Sequence, residues 1–265
     1  MATIVAPVST ATVVTPPPAS PGTASLTWGT TTLNFTDEDS ADWTSESTVT
    51  VDSVTVHVIN GGNASTLGPD GSTGAVDRTN GVQAWPAGSR AAPLLSVQLS
   101  DLIADLAAGD KVGVCVDFAT PVDHSTAQDA YMAMIEADPT DAAAKGVRLR
   151  YMGNNAVDCQ ALNGGVASNT STTEASDIRR MAFLVDDQTG YTSVYFTTSA
   201  TDGNAPDFSD LSAWTRLDGA DQSRERVTNA ADYDITTDYV TAGCASDCGI
   251  TITHIHGGRL TAAAS

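Results

Sequence analysis

The chain has 265 residues and carries 32 acidic against 12 basic side chains, a formal charge of −20 with a pI near 4.1. Such a surface repels nucleic acid and anionic membranes, no Lys/Arg run forms a basic stripe, and no apolar stretch approaches the ~20 residues of a membrane span. Neither a nucleic-acid partner nor a transmembrane segment is expected, and the length fits one large all-β domain or at most two small ones.

The kinds of charge say more than their sum. Asp outnumbers Glu 27 to 5, and Arg outnumbers Lys 10 to 2. Asp favours turns and caps, whereas Glu and Lys favour helices. With 36 Thr and 23 Val against 14 Leu, this is the composition of strands and turns, and the predicted fold class is all-β. Abundant Asp with little Lys also resembles proteins of salt-adapted or GC-rich genomes, in which hydrated carboxylates keep the surface soluble.

In chain order, residues 1–25 read as an extended N-terminal arm. Pro16, Pro17, Pro18 and Pro21, followed by Gly22, impose a polyproline-like backbone. No positively charged region precedes the apolar residues, so the segment does not read as a signal peptide. Ile4, Val5, Val8, Val13 and Val14 are more apolar than a solvated linker needs, and the arm is expected to lie on a neighbouring subunit. Residues 26–265 are expected to form a single β-sandwich domain with long loops.

Within that domain, TVTVDSVTVHVING places Val49 and Val51 on one parity and Val54, Val56 and Val58 on the other. This is the pattern of one strand interrupted by a bulge or bend at Asp52 and Ser53. Further strands are predicted over Leu94–Leu99, Lys111–Phe118, Val147–Met152, Ile178–Val185, Tyr191–Thr198, Tyr233–Val240 and Ile250–Ile255, with a hairpin at Asp186–Gly190. Helical signals are confined to a short turn capped by Ser100 and ended by Gly109, and to a second helix after Ser125 through YMAMIEA, preferred there over a strand. With no internal repeat visible, this many strands in one domain fit a β-sandwich, most commonly a jelly roll.

Reaction chemistry has few candidates. The histidines are His57, His124, His254 and His256, and no nucleophile elbow, zincin motif, phosphate-binding loop or dinucleotide fingerprint is present. No catalytic residue is assigned. His57 falls on the outer, solvated face of its strand, and His124 beside Asp123 reads as a turn residue.

The most specific chemical pattern is CASDCGITITHIHGG. In a strand from Ile250 to Ile255, the residues Ile250, Ile252, His254 and His256 share one face, with the two histidine Cβ atoms about 6.5 to 7 Å apart. Two such imidazoles can bind one metal, and Cys244 and Cys248 can complete a tetrahedral structural zinc site. The competing reading is a disulfide-closed loop or two free thiols, with the histidines at a subunit contact. Cys115 in VGVCVDF reads as a buried small hydrophobe and Cys159 as a loop residue; three disulfide pairings stay open. The acidic stretches Asp37–Asp42 and Asp202–Asp210 offer oxygen ligands for calcium without EF-hand spacing. Trp28, Trp43, Trp85 and Trp214 serve either core packing or a sugar-stacking platform. Sequons at Asn34, Asn63 and Asn169 carry little weight in a chain so rich in Ser and Thr.

This organisation resembles the jelly-roll structural proteins of virus particles. The resemblance rests on the Pro-broken arm through Gly22, the segment TVTVDSVTVHVI, the long polar insertions and the closing strand GITITHIHGGRL, and on no family-specific motif. It implies a capsid or capsid-associated protein of a bacterial or archaeal virus, located in the virion and without enzymatic activity. Its partners would be copies of itself, in a homo-oligomer, and other capsid proteins. The alternative is a virion decoration or tail protein, or a surface adhesin, that binds glycan through the sandwich. Copies this acidic repel one another, so assembly is expected to need screening salt or divalent cations between facing carboxylates.

Overall fold

In a computed structural model the described residues are 27–36, 43–44, 47–61, 75–77, 82–84, 92–118, 130–136, 146–152, 156–163, 166–174, 177–186, 191–199, 203–206, 212–217, 234–243 and 251–261. The predicted arm, the acidic stretch 37–42, most of the stretch 202–210, His124, Trp85, Asn63, Cys244 and Cys248 lie outside them.

The first strands in chain order are β1 (Thr27–Asn34), β2 (Trp43–Thr44), β3 (Ser47–Val51), β4 (Val54–Gly61), β5 (Ala75–Asp77) and β6 (Val82–Ala84). Next, β7 (Ala92–Gln98) runs into a single helical turn, α1 (Leu99–Leu102), ahead of β8 (Lys111–Phe118) and β9 (Ala130–Glu136). Then come β10 (Gly146–Met152), β11 (Ala156–Asn163), β12 (Val166–Glu174), β13 (Arg180–Asp186) and β14 (Tyr191–Thr197). The last are β15 (Thr215–Arg216), β16 (Tyr239–Gly243) and β17 (Thr251–Thr261).

These strands form two antiparallel sheets. Sheet A runs β15-β14-β13-β8-β17-β6-β5-β2 with β1 also on β17, and sheet B runs β12-β11-β10-β9-β16-β7-β4-β3. The core lies between them. Val112, Val114, Val116, Phe183, Phe196 and Ile255 face inward from sheet A, and Val56, Val58, Leu95, Val97, Leu149 and Val240 from sheet B. Alternate residues on each strand point the other way, as the pleat requires. The described residues form an all-β sandwich of two antiparallel sheets, the fold class the composition predicts.

Several local expectations are corrected. Val49 and Val54 change parity because the chain turns back on itself: Val51 pairs with Val54, and Asp52 and Ser53 have φ of 49° and 70°. Two successive positive φ values define a tight I′-type hairpin, so β3 and β4 replace the single bulged strand. YMAMIE is part of strand β9, not of a helix, held between β10 and β16. The stretch from Asp234 to Thr237 is a turn closed by Thr237 N–H to Asp234 O, so β16 begins only at Tyr239. Cys159 is not in a loop but buried in β11. The residue at the N-cap position of α1 is Gln98, not Ser100; Gly109, with φ of 85°, ends the turn that follows. Leu99, Leu102 and Ile103 are buried in the core. A Cβ at Gly257 would lie 2.5 Å from Leu102 Cδ2, so β17 carries a glycine where α1 crosses it.

Candidate functional site

The outer face of sheet A, turned away from the core, carries a polar cluster. Register places Asn34, His254, Asp117, Arg180 and Thr197 in one cross-strand row over β1, β17, β8, β13 and β14. The next row is Thr32, His256, Cys115, Ala182 and Tyr195. His254 and His256 do share a face, as predicted, with rings stacked at 5.7 Å and 13°. That face is not the face of Ile252. The register slips between Ile252 and His254, and this bulge at Thr253 keeps Ile252 and Ile255 in the core while sending both imidazoles outward.

Asp117 is the centre of the cluster and is fully buried. Arg180 donates to it through two nitrogens, Nε to Oδ1 at 2.6 Å and Nη2 to Oδ2 at 2.7 Å. His256 Nε2 lies 3.1 Å from Oδ2, and the Cys115 thiol donates to Oδ1 at 3.5 Å. The other His256 nitrogen, Nδ1, is 2.9 Å from Thr32 Oγ1. With Nε2–H donating to Asp117, Nδ1 accepts from the threonine hydroxyl. Arg180 Nη2 also donates to the Asn204 carbonyl at 2.6 Å, which ties the turn after β14 to the sheet. Gly203 of that turn sits at φ of 79°, and a Cβ there would come within 2.9 Å of His254 Cε1. Only a glycine lets the turn lie flat on the imidazole.

The electrostatics follow from this packing. Burial pushes the Asp117 carboxyl upward, but the hydrogen bonds from His256 and Arg180, with their charges, outweigh it and hold the pKa at about 2. Burial, with the Asp117 charge adding to it, raises the Cys115 thiol, so this is an inert cysteine rather than a nucleophile. His254 is lowered, first by burial; Asp117 opposes that shift, while His256 and Arg180 add to it. Its Nδ1 is buried without a hydrogen-bond partner, 4.0 Å from Asp117 Oδ2.

As folded, both ring nitrogens of His256 are hydrogen-bonded, and each Asp117 oxygen accepts two bonds, Oδ1 from Arg180 Nε and the Cys115 thiol and Oδ2 from Arg180 Nη2 and His256 Nε2. Among the described residues, no group of three or more His, Cys, Asp or Glu side chains is arranged around a cation site. His254 and His256 are brought together, and Cys244 and Cys248 fall outside the described residues. His57 is half-buried rather than solvated, with its ring edge-on to Tyr239 at a centroid distance of 6.1 Å. Cys115 is buried as predicted, although on the outer face with Ala182 and Tyr195, where Leu184 and Trp214 pack against it. Asp117 and Arg180 were not singled out by motif. Their signal was a charge inside an apolar strand: Asp117 is the only acidic residue of KVGVCVDF.

No protein-family model matches the chain, and no curated protein matches it. Among solved structures it is similar to an endo-1,3-beta-glucanase from Streptomyces sioyaensis, at 12% identity over 92% of this chain and 99% of that one, with a TM-score of 0.47. The Ca2+/Man3GlcNAc-bound exoplasmic/lumenal domain of VIP36 is 12% identical over 72% of this chain and 84% of that one, with a TM-score of 0.45. Full-length tailspike protein 2 of Escherichia coli O157:H7 bacteriophage CAB120 is 10% identical over 77% of this chain and 25% of that one, with a TM-score of 0.39. None of these likenesses assigns a role to a residue of this chain.

Proposed function

We propose that this chain is a non-enzymatic structural protein of a virus particle, a β-sandwich whose copies associate with one another and with other proteins of the shell. One observation carries the reading. Among the described residues the side chains best suited to chemistry are Asp117, His256 and Cys115, which are buried, and Arg180, which is partly buried; the other three all bond to Asp117 across the adjacent strands β17, β8 and β13. A carboxylate held near 2 and shared with a guanidinium is a poor base, and a buried thiol of raised pKa is a poor nucleophile. What such a cluster does well is fix strand register and pin the Asn204 turn, the property of a scaffold that bears load through contacts. The test is the solution mass of the full chain across a salt series, with and without chelator. A closed oligomer or particle stabilised by salt supports the reading, and a monomer under every condition removes it.

A second reading, a virion decoration, tail or surface protein that binds glycan, is favoured by Trp214. This side chain is only partly buried, packs on the outer face of sheet A beside Tyr195, and adjoins the exposed Thr215 and Arg216 of β15. An aromatic face next to polar groups is what sugar stacking needs. Under this reading the chain binds immobilised oligosaccharides and Trp214→Ala loses that binding by about tenfold or more. Equal retention of wild type and variant would dismiss it.

A further inference from the structure

We infer that Asn34 is an N-glycosylation site: as folded, Asn34, Phe35 and Thr36 present an acceptor for an oligosaccharide carried on a polyprenyl diphosphate. The inference goes beyond the structural reading above and does not rest on it, since a shell protein and a glycan-binding surface protein can both carry a glycan.

Sequons occur at Asn34, Asn63 and Asn169, and in a chain this rich in Ser and Thr the motif alone selects none of them. Placement separates the two that fall among the described residues. Asn169 and Ser171 both lie within β12, paired with Gln160 and Cys159 of β11, so the ladder holds the backbone at both ends of that sequon. Asn34 is instead the last residue of β1, and Thr36 lies beyond the strand. Between them Phe35 is fully buried, with its N–H on the Thr253 carbonyl at 2.9 Å. The middle of the sequon is thereby anchored in the core while Asn34 stands exposed.

Beyond the end of β1 the chain turns back on the asparagine. The Thr36 N–H donates to Asn34 Oδ1 at 2.9 Å, and the Thr36 hydroxyl donates to the same oxygen at 2.7 Å. This is an Asx turn closed at two points. A backbone N–H can only donate, so the side-chain atom facing it is the oxygen, and the nitrogen Nδ2 is the other atom of the amide. Among the described residues nothing accepts a bond from Nδ2. The Asn34 backbone is fixed as well, its N–H donating to the Asp52 carboxylate at 2.8 Å.

This arrangement suits the chemistry of glycosyl transfer to an amide. The lone pair of an amide nitrogen is drawn into its carbonyl, and it becomes available as Nδ2 loses a proton and charge moves onto Oδ1. Two donors already aimed at Oδ1 stabilise that charge where it develops, as an oxyanion hole does. In the transfer, Nδ2 bonds to the anomeric carbon of the sugar and the bond from that carbon to the diphosphate oxygen breaks. Polyprenyl diphosphate leaves with the electron pair, and the Nδ2 proton passes to a base of the transferase.

The test is to incubate the folded full chain with an oligosaccharyltransferase that requires only the Asn-x-Ser/Thr motif and with a polyprenyl-diphosphate oligosaccharide. Each sequon is then read by peptide mass spectrometry. Asn34 is expected to gain one glycan, with modification of Asn169 lower by roughly tenfold or more. Asn34→Gln and Thr36→Val should each abolish the gain at position 34 at unchanged circular dichroism, whereas Thr36→Ser, which keeps the hydroxyl, should retain it. If a variant misfolds, the wild type decides the matter by comparison with a short Asn-Phe-Thr peptide in the same tube. A folded chain left unmodified at Asn34 while that peptide is glycosylated would overturn the inference. Equal modification of Asn34 and Asn169, or full modification of a folded Thr36→Val, would overturn it too.

Discussion

Asp117 is a carboxylate that solvent does not touch, and its charge is tolerated because Arg180 closes a two-point pair on it while His256 and Cys115 occupy what remains. Breaking such a pair from one side costs about 3–5 kcal/mol, because the partner is left buried and uncompensated. Two pH dependences follow, with the same sign for different reasons. The folded-state pKa of Asp117, about 2, lies below its ordinary value near 3.9. Its contribution of roughly 2 kcal/mol is thus fully present above about pH 4 and is lost as pH falls through the folded value. His254 is lowered as well, but it is a base. Below its ordinary pKa of about 6.5 the unfolded chain takes up a proton that the folded chain resists, so stability declines as pH drops from there. Urea unfolding at pH 7.5, 6.5 and 5.5 should show this decline in the wild type and a smaller one in His254→Gln. Parallel declines in both proteins would mean that other groups govern this range.

At the scale of elements, β17 shows which features were legible in the sequence. Alternation in ITITHIH announced a strand and placed both histidines on one face, and the apolar runs of β8, β10, β13 and β14 were equally plain. The bulge at Thr253 was not legible, because a shift of one residue depends on how β8 and β17 pair and leaves no local mark. For the same reason the face of His254 and His256 was identified only relative to each other. Asp52 and Ser53 were read as a bulge because neither is the glycine that usually marks a tight hairpin. β9 read as a helix because its Ala and Met content suits one, and its position between β10 and β16 overrode that propensity. The Asp117–Arg180 pair joins residues 63 apart in sequence and could be found only once β8 and β13 were adjacent. Gly257 is the next test of this strand. Its missing side chain admits Leu102 and Ile103 of the α1 region, so Gly257→Ala must displace them, and a loss of about 1–3 kcal/mol is expected in thermal or urea unfolding. An unchanged midpoint would mean that α1 can lift from β17 without cost.

For the molecule as a whole, charge and sheet architecture pull in opposite directions. Two large antiparallel sheets leave strand edges that favour association, while a net charge of −20 makes each approach of two copies repulsive. Ion pairs such as Lys111 with Asp186 at 2.7 Å and Arg259 with Asp110 at 2.8 Å neutralise a few carboxylates, but 12 cationic residues cannot balance 32 acidic ones. The remainder must be screened. At low ionic strength of about 0.01 M the Debye length is about 30 Å, comparable with the size of the domain, and at 1 M it is about 3 Å. Over that range the repulsion between two copies changes from one that acts across the whole molecule to one confined to charges in contact, whereas backbone pairing at an edge is nearly indifferent to salt. Association measured by light scattering should therefore be absent at about 0.01 M salt and rise steeply toward 1 M. If monovalent salt alone is sufficient, chelator has no effect and the role of salt is screening. If association at low ionic strength appears only with millimolar calcium or magnesium and disappears with chelator, divalent ions bridge facing carboxylates. Association that is equally strong at all salt concentrations would show that the carboxylates lie away from the contact, and the electrostatic part of the reading would fall.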